Sequence, residues 1–268
     1  MKADRSLVVF PILSAIFAIL AATAIFTPAV IWEALQGQTL DDVTNNDSNH
    51  VALYIAGAAT AYVSTFIAIF FNVALAGCAV RSLRGDDTKV GEGINAAMRR
   101  IGPIIGWSLL ATTVGLVLKA LENRASTLGR IAVWLAGAAW AIATFFVIPV
   151  LALEGSGPVR SLKRSAAVVK ARWGESATGA ATITAATSLV AVAIAVVGGV
   201  FGGLLTDAGQ PVLGGVVFAL AVAGVLVVSI ISAALSQIFR VAVYEYAVTG
   251  QTTGRFDPQL LQTAFVQR

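Results

Sequence analysis

The sequence has few charged residues and almost none of the side chains that bind metals or attack substrates. Charged residues occupy 12% of the 268 positions, whereas a soluble domain has about 25%. Cys78 is the only cysteine and His50 the only histidine, so an intramolecular disulfide and a Cys-x-x-Cys redox or zinc site are excluded. A His/Cys metal centre and a Ser/His/Asp or Cys/His catalytic set are not expected. We predict a protein that is not an enzyme and needs no cofactor or metal.

Apolar residues dominate the chain instead. They occupy 57% of it, and they are concentrated in six stretches without Asp, Glu, Lys or Arg: 6–32, 51–80, 101–118, 131–153, 176–206 and 208–239. A helix needs about 20 residues to cross a hydrocarbon core of about 30 Å. Helices are favoured because unpaired backbone amides are costly in lipid, and the sequence lacks the alternating strands of a barrel. The prediction is an all-α membrane bundle of six transmembrane helices, arranged as three hairpins in a single domain over 1–268.

The distribution of basic residues predicts the orientation. If the loops alternate across the membrane, most of the 18 Lys and Arg residues lie on the side of both termini, and only Lys119, Arg124 and Arg130 lie on the other. Because Lys and Arg in short loops stay in the cytoplasm, we expect both termini inside, in a bacterial plasma membrane. This arrangement accounts for the basic pI of about 9.5 without nucleic-acid binding, which is not expected.

Each hairpin is followed by a short segment with helical periodicity on the predicted cytoplasmic side. The clearest one begins at Pro158, a favoured first residue of a helix, and carries an apolar stripe of Val159, Leu162, Ala166, Val169 and Trp173. A helix with one apolar and one basic face lies in the membrane interface, with its charges toward anionic headgroups. The candidate residues for binding inner-leaflet lipids or docking a partner are Arg160, Lys163, Arg164, Lys170, Arg172 and Trp173. Ordinary cytoplasmic charge bias, with no specific ligand, is the alternative.

Four glycines form two overlapping G-x-x-x-G spacings within the fifth apolar stretch: Gly198, Gly199, Gly202 and Gly203. Small residues at this spacing allow two helices to approach closely, so we predict a packing face, either within the chain or between subunits. They do not form a phosphate loop, because no lysine is nearby and no strand precedes them.

Polar residues within the apolar stretches are few. Asn72 and Gln237 are expected to bond to neighbouring helices rather than to line a permeation path. Glu154 directly follows the fourth stretch. It is expected to pair with Arg160 or another inner basic residue, or to cap the next helix, and the alternative is a protonatable group for transport. Charges near the middle of a span usually have a function, and none is found there.

Three segments carry a resemblance to a known family. They are DRSLVVFPILS, FFVIPVLALEGSGPVRSLKRSAAVVKARWGES and RVAVYEYAVTGQ with a following FD. Together they resemble an uncharacterised family of six-helix bacterial membrane proteins, common in actinobacteria. The family is similar in outline to the membrane domains linked to some glycerophosphodiester phosphodiesterases. The most specific part runs from Pro149 to Trp173, and the resemblance implies a fold and a membrane location but no activity.

Two functional hypotheses follow. The first is a non-enzymatic scaffold, accessory subunit or lipid-organising protein of the plasma membrane. Its partners would be anionic lipids of the inner leaflet, or else further copies of the chain or another membrane protein. The second is a transporter or channel for a neutral or amphiphilic substrate. A water-wide cavity lined by Asn72, Thr184 or Gln237 would favour the second hypothesis, and a tightly packed core would favour the first.

Overall fold

The computed structural model describes residues 6–35, 51–171 and 173–249, with the backbone alone for Ser6, Glu33 and residues 173–184. Within these ranges the chain is helical. The helices in chain order are α1 Ser6–Leu35, α2 Val51–Leu83, α3 Val90–Met98, α4 Ile101–Arg124, α5 Thr127–Ala143, α6 Val147–Leu153, α7 Pro158–Ala171, α8 Trp173–Asp207 and α9 Pro211–Thr249.

The predicted all-α bundle with six spans is confirmed by length and composition. The helices long and apolar enough to cross a membrane are Leu7–Trp32, Val51–Leu83, Ile101–Arg124, Thr127–Leu153, Ala185–Asp207 and Pro211–Thr249. Within the three predicted hairpins, α1 packs against α2, α4 against α5, and α8 against α9. Helix α2 is the central element, since it contacts α1, α3, α4, α6 and α9.

The fourth span is broken into α5 and α6 by a turn at residues 144–146. Pro149 explains where the second piece begins, because a proline has no N–H to donate and is tolerated in the first turn of a helix. Thr144 ends α5 with its hydroxyl donating to the carbonyl of Trp140, at 2.8 Å. The break therefore falls where both helix ends can be satisfied locally.

The packed core lies at the end of the bundle where α2 and α9 finish and α3, α6 and α7 lie. We call this end the base. In α2, Val73 and Leu75 are each 1% exposed, and Phe10 of α1 and Ile104 of α4 are fully buried there. The opposite halves of the helices carry exposed apolar residues, including Trp134 at 71% exposure. In a membrane such a surface faces lipid.

Helix α3 shows how tightly the base is packed. A Cβ at Gly93 would lie 2.6 Å from Cζ of Phe10, 2.7 Å from Sγ of Cys78 and 2.8 Å from the carbonyl oxygen of Ala74. Only glycine fits between these atoms, because carbon atoms normally pack about 3.5–4.0 Å apart. Gly93 therefore sets the distance between α3 and α2.

The apolar stripe predicted for the segment after Pro158 is wrong in part. Val159 is 57% exposed, and the residues that α7 buries are Ser161, Ser165, Val168 and Val169. The reason is hydrogen bonding that hydrophobic periodicity does not register. Ser165 on this face accepts a hydrogen bond from the N–H of Phe146, just before α6, and Ser161 donates to the carbonyl of Ser156 in the turn after α6. The two serines therefore pack against the bundle together with Val169 of the predicted stripe.

The last helix continues beyond the charge-free stretch that ends at residue 239. Helix α9 has 39 residues, which is about 58 Å of helix and well beyond the ~30 Å of a hydrocarbon core. Its final turns carry Arg240 and Glu245 into the base. The sequence had placed this segment outside the sixth span, and the structure shows one unbroken helix.

Candidate functional site: the basic helix and its base

The turn before α7 fixes the direction of that helix. Gly155 has a φ of 62°, a backbone conformation that favours glycine. A Cβ at this position would also lie 2.0 Å from Nη1 of Arg100. Beyond the turn, the Ser161 hydroxyl donates to the carbonyl of Ser156 at 3.0 Å. The chain therefore leaves α6 and enters α7 through a turn that few other sequences could form.

The inward face of α7 is held by a buried hydrogen bond to the broken span. The backbone N–H of Phe146 donates to Oγ of Ser165 at 3.0 Å, and both residues are fully buried. Phe146 is the residue before α6, so its N–H has no partner within that helix. Ser165 supplies the missing acceptor, and Val168 and Val169 pack beside it.

The outward face of α7 carries exposed cations. Arg160, Lys163 and Lys170 are exposed, and none of them forms an ion pair with any residue that the structure describes. We call these three residues the cationic face. It combines positive charge with a rigid attachment to the bundle, which is the arrangement needed to present charge to an anionic ligand.

Arg164 differs from the other candidates because it is paired. Its Nε donates to Oε1 of Glu154 at 3.0 Å, and the hydroxyl of Tyr244 in α9 donates to the same oxygen. The hydrogen bond that Arg164 donates to Glu154 raises the pKa of Arg164, with a further contribution from Tyr244. The expected pairing of Glu154 with an inner basic residue is therefore confirmed, with Arg164 as the partner rather than Arg160. Arg164 fastens α7 to the base.

Two of the candidate residues, Arg172 and Trp173, have no described side chain. Arg172 lies outside the described residues, as does His50, and the structure describes only the backbone of Trp173. The predicted set is thus divided into three exposed cations, one structural arginine and two positions without a described side chain.

A second ion pair in the base went unnoticed in the sequence. Nη2 of Arg84 lies 2.8 Å from Oε1 of Glu245, whose side chain is only 6% exposed. Its other oxygen, Oε2, is buried and has no hydrogen-bond partner among the residues that the structure describes. Tyr244 and Glu245 are neighbours in α9, yet one reaches Glu154 and the other reaches the end of α2. The sequence signal for this pair was two polar residues in succession, Tyr244 and Glu245, after the long apolar stretch 208–239.

The two amides expected to bond between helices do not do so in the described structure. Nδ2 of Asn72 donates to the carbonyl of Ala68 in its own helix, at 2.8 Å. Gln237 is 4% exposed, and its Nε2 has no partner. That prediction was wrong for Asn72, because its amide reaches the second lone pair of the carbonyl oxygen one turn earlier in its own helix and needs no second helix.

The four glycines of α8 divide into two faces. Gly198 and Gly202 are buried against α9, and a Cβ at Gly198 would lie 2.1 Å from Cβ of Ala221. Gly199 and Gly203 are exposed, and a Cβ at either would meet nothing within 4 Å. The close approach is thus internal to the hairpin, and it involves half of the predicted set.

Two open grooves lie on the surface of the described structure. One, between α5 and α7, has a volume of about 530 Å³ and is lined by Ala139, Ile142, Ala143, Ala166, Val169 and Lys170. The other, about 510 Å³, lies between α4 and α5 and includes Lys119, Glu122, Arg130 and Trp134 in its lining. Neither groove reaches Asn72 or Gln237. No cluster of three His, Cys, Asp or Glu side chains that could hold a metal occurs in the described ranges.

Comparison with known proteins gives a family without an activity. Residues 51–254 match the Family of unknown function (DUF6159). No curated protein and no solved structure matches the chain. The matched segment includes α7 and the ion pairs Arg164–Glu154 and Arg84–Glu245, and it begins at the start of α2.

Proposed function

Because the chain belongs to the DUF6159 family of unknown function, we propose its role from the geometry: it is a non-enzymatic plasma-membrane protein that organises anionic lipids at the inner leaflet. One observation carries this proposal. Arg160, Lys163 and Lys170 point outward and have no acidic partner in the described part of the chain, while the opposite side of their helix is packed against the bundle. The finer resemblance to actinobacterial proteins and to phosphodiesterase-linked domains remains a prediction, as does the cytoplasmic location of both termini.

The attachment of α7 to the bundle lowers the entropic cost of presenting its charges to a membrane. A basic residue near an anionic membrane surface contributes about 1 kcal/mol, so three would contribute about 3 kcal/mol before screening by salt. A free amphipathic helix would lose part of this gain in becoming ordered. Here the hydrogen bond of Ser165 to Phe146 and the pair of Arg164 with Glu154 already hold the helix. The charges are therefore ordered before any lipid binds.

The length of the helices supports a position of the base near the headgroups. Helix α2 has 33 residues and α9 has 39, whereas about 20 residues cross the hydrocarbon core. If the far ends lie at the outer surface, the surplus residues lie at the inner one, together with Arg84 and Glu245. This placement keeps charged groups out of the hydrocarbon, where they are costly.

The transporter hypothesis receives less support. It predicts a water-wide path lined by Asn72, Thr184 or Gln237. Asn72 is bonded to its own helix, Gln237 is buried, and the side chain of Thr184 is outside the described structure. The mainly apolar linings of the two grooves favour lipid over water.

The test compares lipid preference in two triple variants. The first is Arg160→Gln/Lys163→Gln/Lys170→Gln. The control is Lys119→Gln/Arg124→Gln/Arg130→Gln, which removes the same charge from the opposite end of the bundle. Each protein is reconstituted in nanodiscs of phosphatidylglycerol and phosphatidylcholine. It is then transferred to mild detergent, and the lipids that stay bound are quantified by mass spectrometry.

We expect the first variant to lose at least about tenfold of its preference for phosphatidylglycerol, since about 1.4 kcal/mol corresponds to a factor of ten. The control should keep the preference of the unmodified protein. Equal preference in the unmodified protein and the first variant would contradict the proposed function.

A further inference from the structure

The groove between α5 and α7 has the two chemical features of a phospholipid. Its walls are apolar, formed by Ala139, Ile142 and Ala143 of α5 and by Ala166 and Val169 of α7. Its volume of about 530 Å³ lies within the range of clefts that bind small ligands, about 300–1,000 Å³. Among the residues that the structure describes in this lining, Lys170 is the charged one. An apolar chain with one anionic end matches this combination.

The apolar lining continues along α5. Ile131, Leu135 and Ile142 are 54%, 56% and 38% exposed, and their spacing places them with Ala139 on one face of the helix. From Ile131 to Ile142 the helix rises about 17 Å, close to the ~15 Å of one leaflet of hydrocarbon. One acyl chain can therefore lie along this face, with the end that joins the headgroup in the groove.

Lys170 is free to bind the headgroup. It is exposed, and it makes no ion pair with the described part of the chain. Its long apolar stem can lie along the groove wall while the ammonium group reaches the level of the phosphates. Lys163 is seven residues earlier on the same face of α7, but it does not line the groove.

We propose that this groove is a defined site for one anionic phospholipid, with an acyl chain along α5 and the phosphate paired with Lys170. The inference rests on the proposed function, because Lys170 belongs to the cationic face. It goes further by assigning a single site with a shape, whereas the cationic face alone would attract a diffuse layer of anionic lipid.

The experiment separates shape from charge. Dioleoyl phosphatidylglycerol is titrated onto delipidated protein in mild detergent, and native mass spectrometry measures the affinity of the first bound lipid. Parallel arms use dioleoyl phosphatidylcholine and inorganic phosphate. Ala139→Trp fills the groove, and Ala136→Trp is its control, because Ala136 is exposed on the same helix and lines neither groove. Lys170→Gln removes the headgroup partner, Lys163→Gln tests a cation of the same face that lies outside the groove, and Arg124→Gln at the opposite end of the bundle is the control.

We expect Ala139→Trp and Lys170→Gln each to weaken the first phosphatidylglycerol by about fivefold or more. Ala136→Trp and Arg124→Gln should bind it like the unmodified protein, and Lys163→Gln should weaken it less than Lys170→Gln does. Inorganic phosphate should not displace the lipid, because it cannot use the apolar walls. Circular dichroism of each variant checks that the helices are retained, and the smaller Ala139→Leu should give a partial loss.

Two results would overturn the site. If Ala139→Trp binds like Ala136→Trp, no acyl chain occupies the groove. If Lys163→Gln and Lys170→Gln lose affinity equally, the cations act as a diffuse layer. In both cases the lipid preference of the unmodified protein over the triple glutamine variant would still support the proposed function. Loss of that difference would overturn both proposals.

Discussion

Two adjacent glycines of α8 should respond in opposite directions to the same substitution. Gly198 faces α9, where an added Cβ would lie 2.1 Å from Cβ of Ala221. Since carbon atoms pack about 3.5–4.0 Å apart, Gly198→Ala must push the two helices apart by about 1.5 Å or distort them. Overpacking of this kind costs about 1–3 kcal/mol.

Gly199 gives the matched control. An added Cβ there meets nothing within 4 Å, so the only effect is the change in helix propensity. Alanine in the middle of a helix is more favourable than glycine by about 0.5–1 kcal/mol. The same chemical change, one residue further along, should therefore stabilise the protein rather than destabilise it.

The assay is thermal unfolding in detergent, followed by tryptophan fluorescence and by loss of the monodisperse peak in gel filtration. The two variants should differ by about 1.5–4 kcal/mol, or several degrees in Tm for a chain of this size. Gly198→Ala/Ala221→Gly should recover most of the loss, because it restores one small residue at the contact. The reasoning fails if Gly198→Ala and Gly199→Ala shift the Tm in the same direction.

Two hydrogen-bonded pairs of the base give further predictions. Ser165→Ala should lower the free energy of unfolding by about 1–3 kcal/mol, because it leaves the buried N–H of Phe146 without a partner. The control is Ser229→Ala, which removes an exposed hydroxyl bonded to its own helix. It should change the free energy of unfolding by less than about 0.5 kcal/mol. Arg84→Gln should also destabilise, since it removes the described partner of a carboxylate with 6% exposure, and Arg84→Gln/Glu245→Gln should restore part of the loss by removing the unpaired charge. Thermal unfolding of all four variants measures both effects, and a double variant less stable than Arg84→Gln would contradict the second.

The sequence was informative wherever a single segment carried the physical reason. A stretch such as 51–80 without charged residues has to be helical in lipid, because only a helix satisfies its own backbone. Pro158 begins α7 as predicted, since a proline fits the first turn of a helix. Both arguments use local properties of the chain, so one sequence sufficed for the spans and for the start of α7.

Tertiary structure decided which side of each helix does what. The motif that begins at Gly198 and the motif that begins at Gly199 have the same spacing. Only the position of α9 shows that Gly198 has no room for a larger side chain and that Gly199 has. Hydrophobicity favoured Val159 over Ser165 as a buried residue of α7, but Ser165 is buried because the break at Phe146 needs an acceptor. Glu245 is buried in the base for a similar reason, because the fold brings it to Arg84, a partner that is far away in the sequence. Which residues are packed depends on neighbours that the folded chain brings together, and the periodicity of one helix does not contain them.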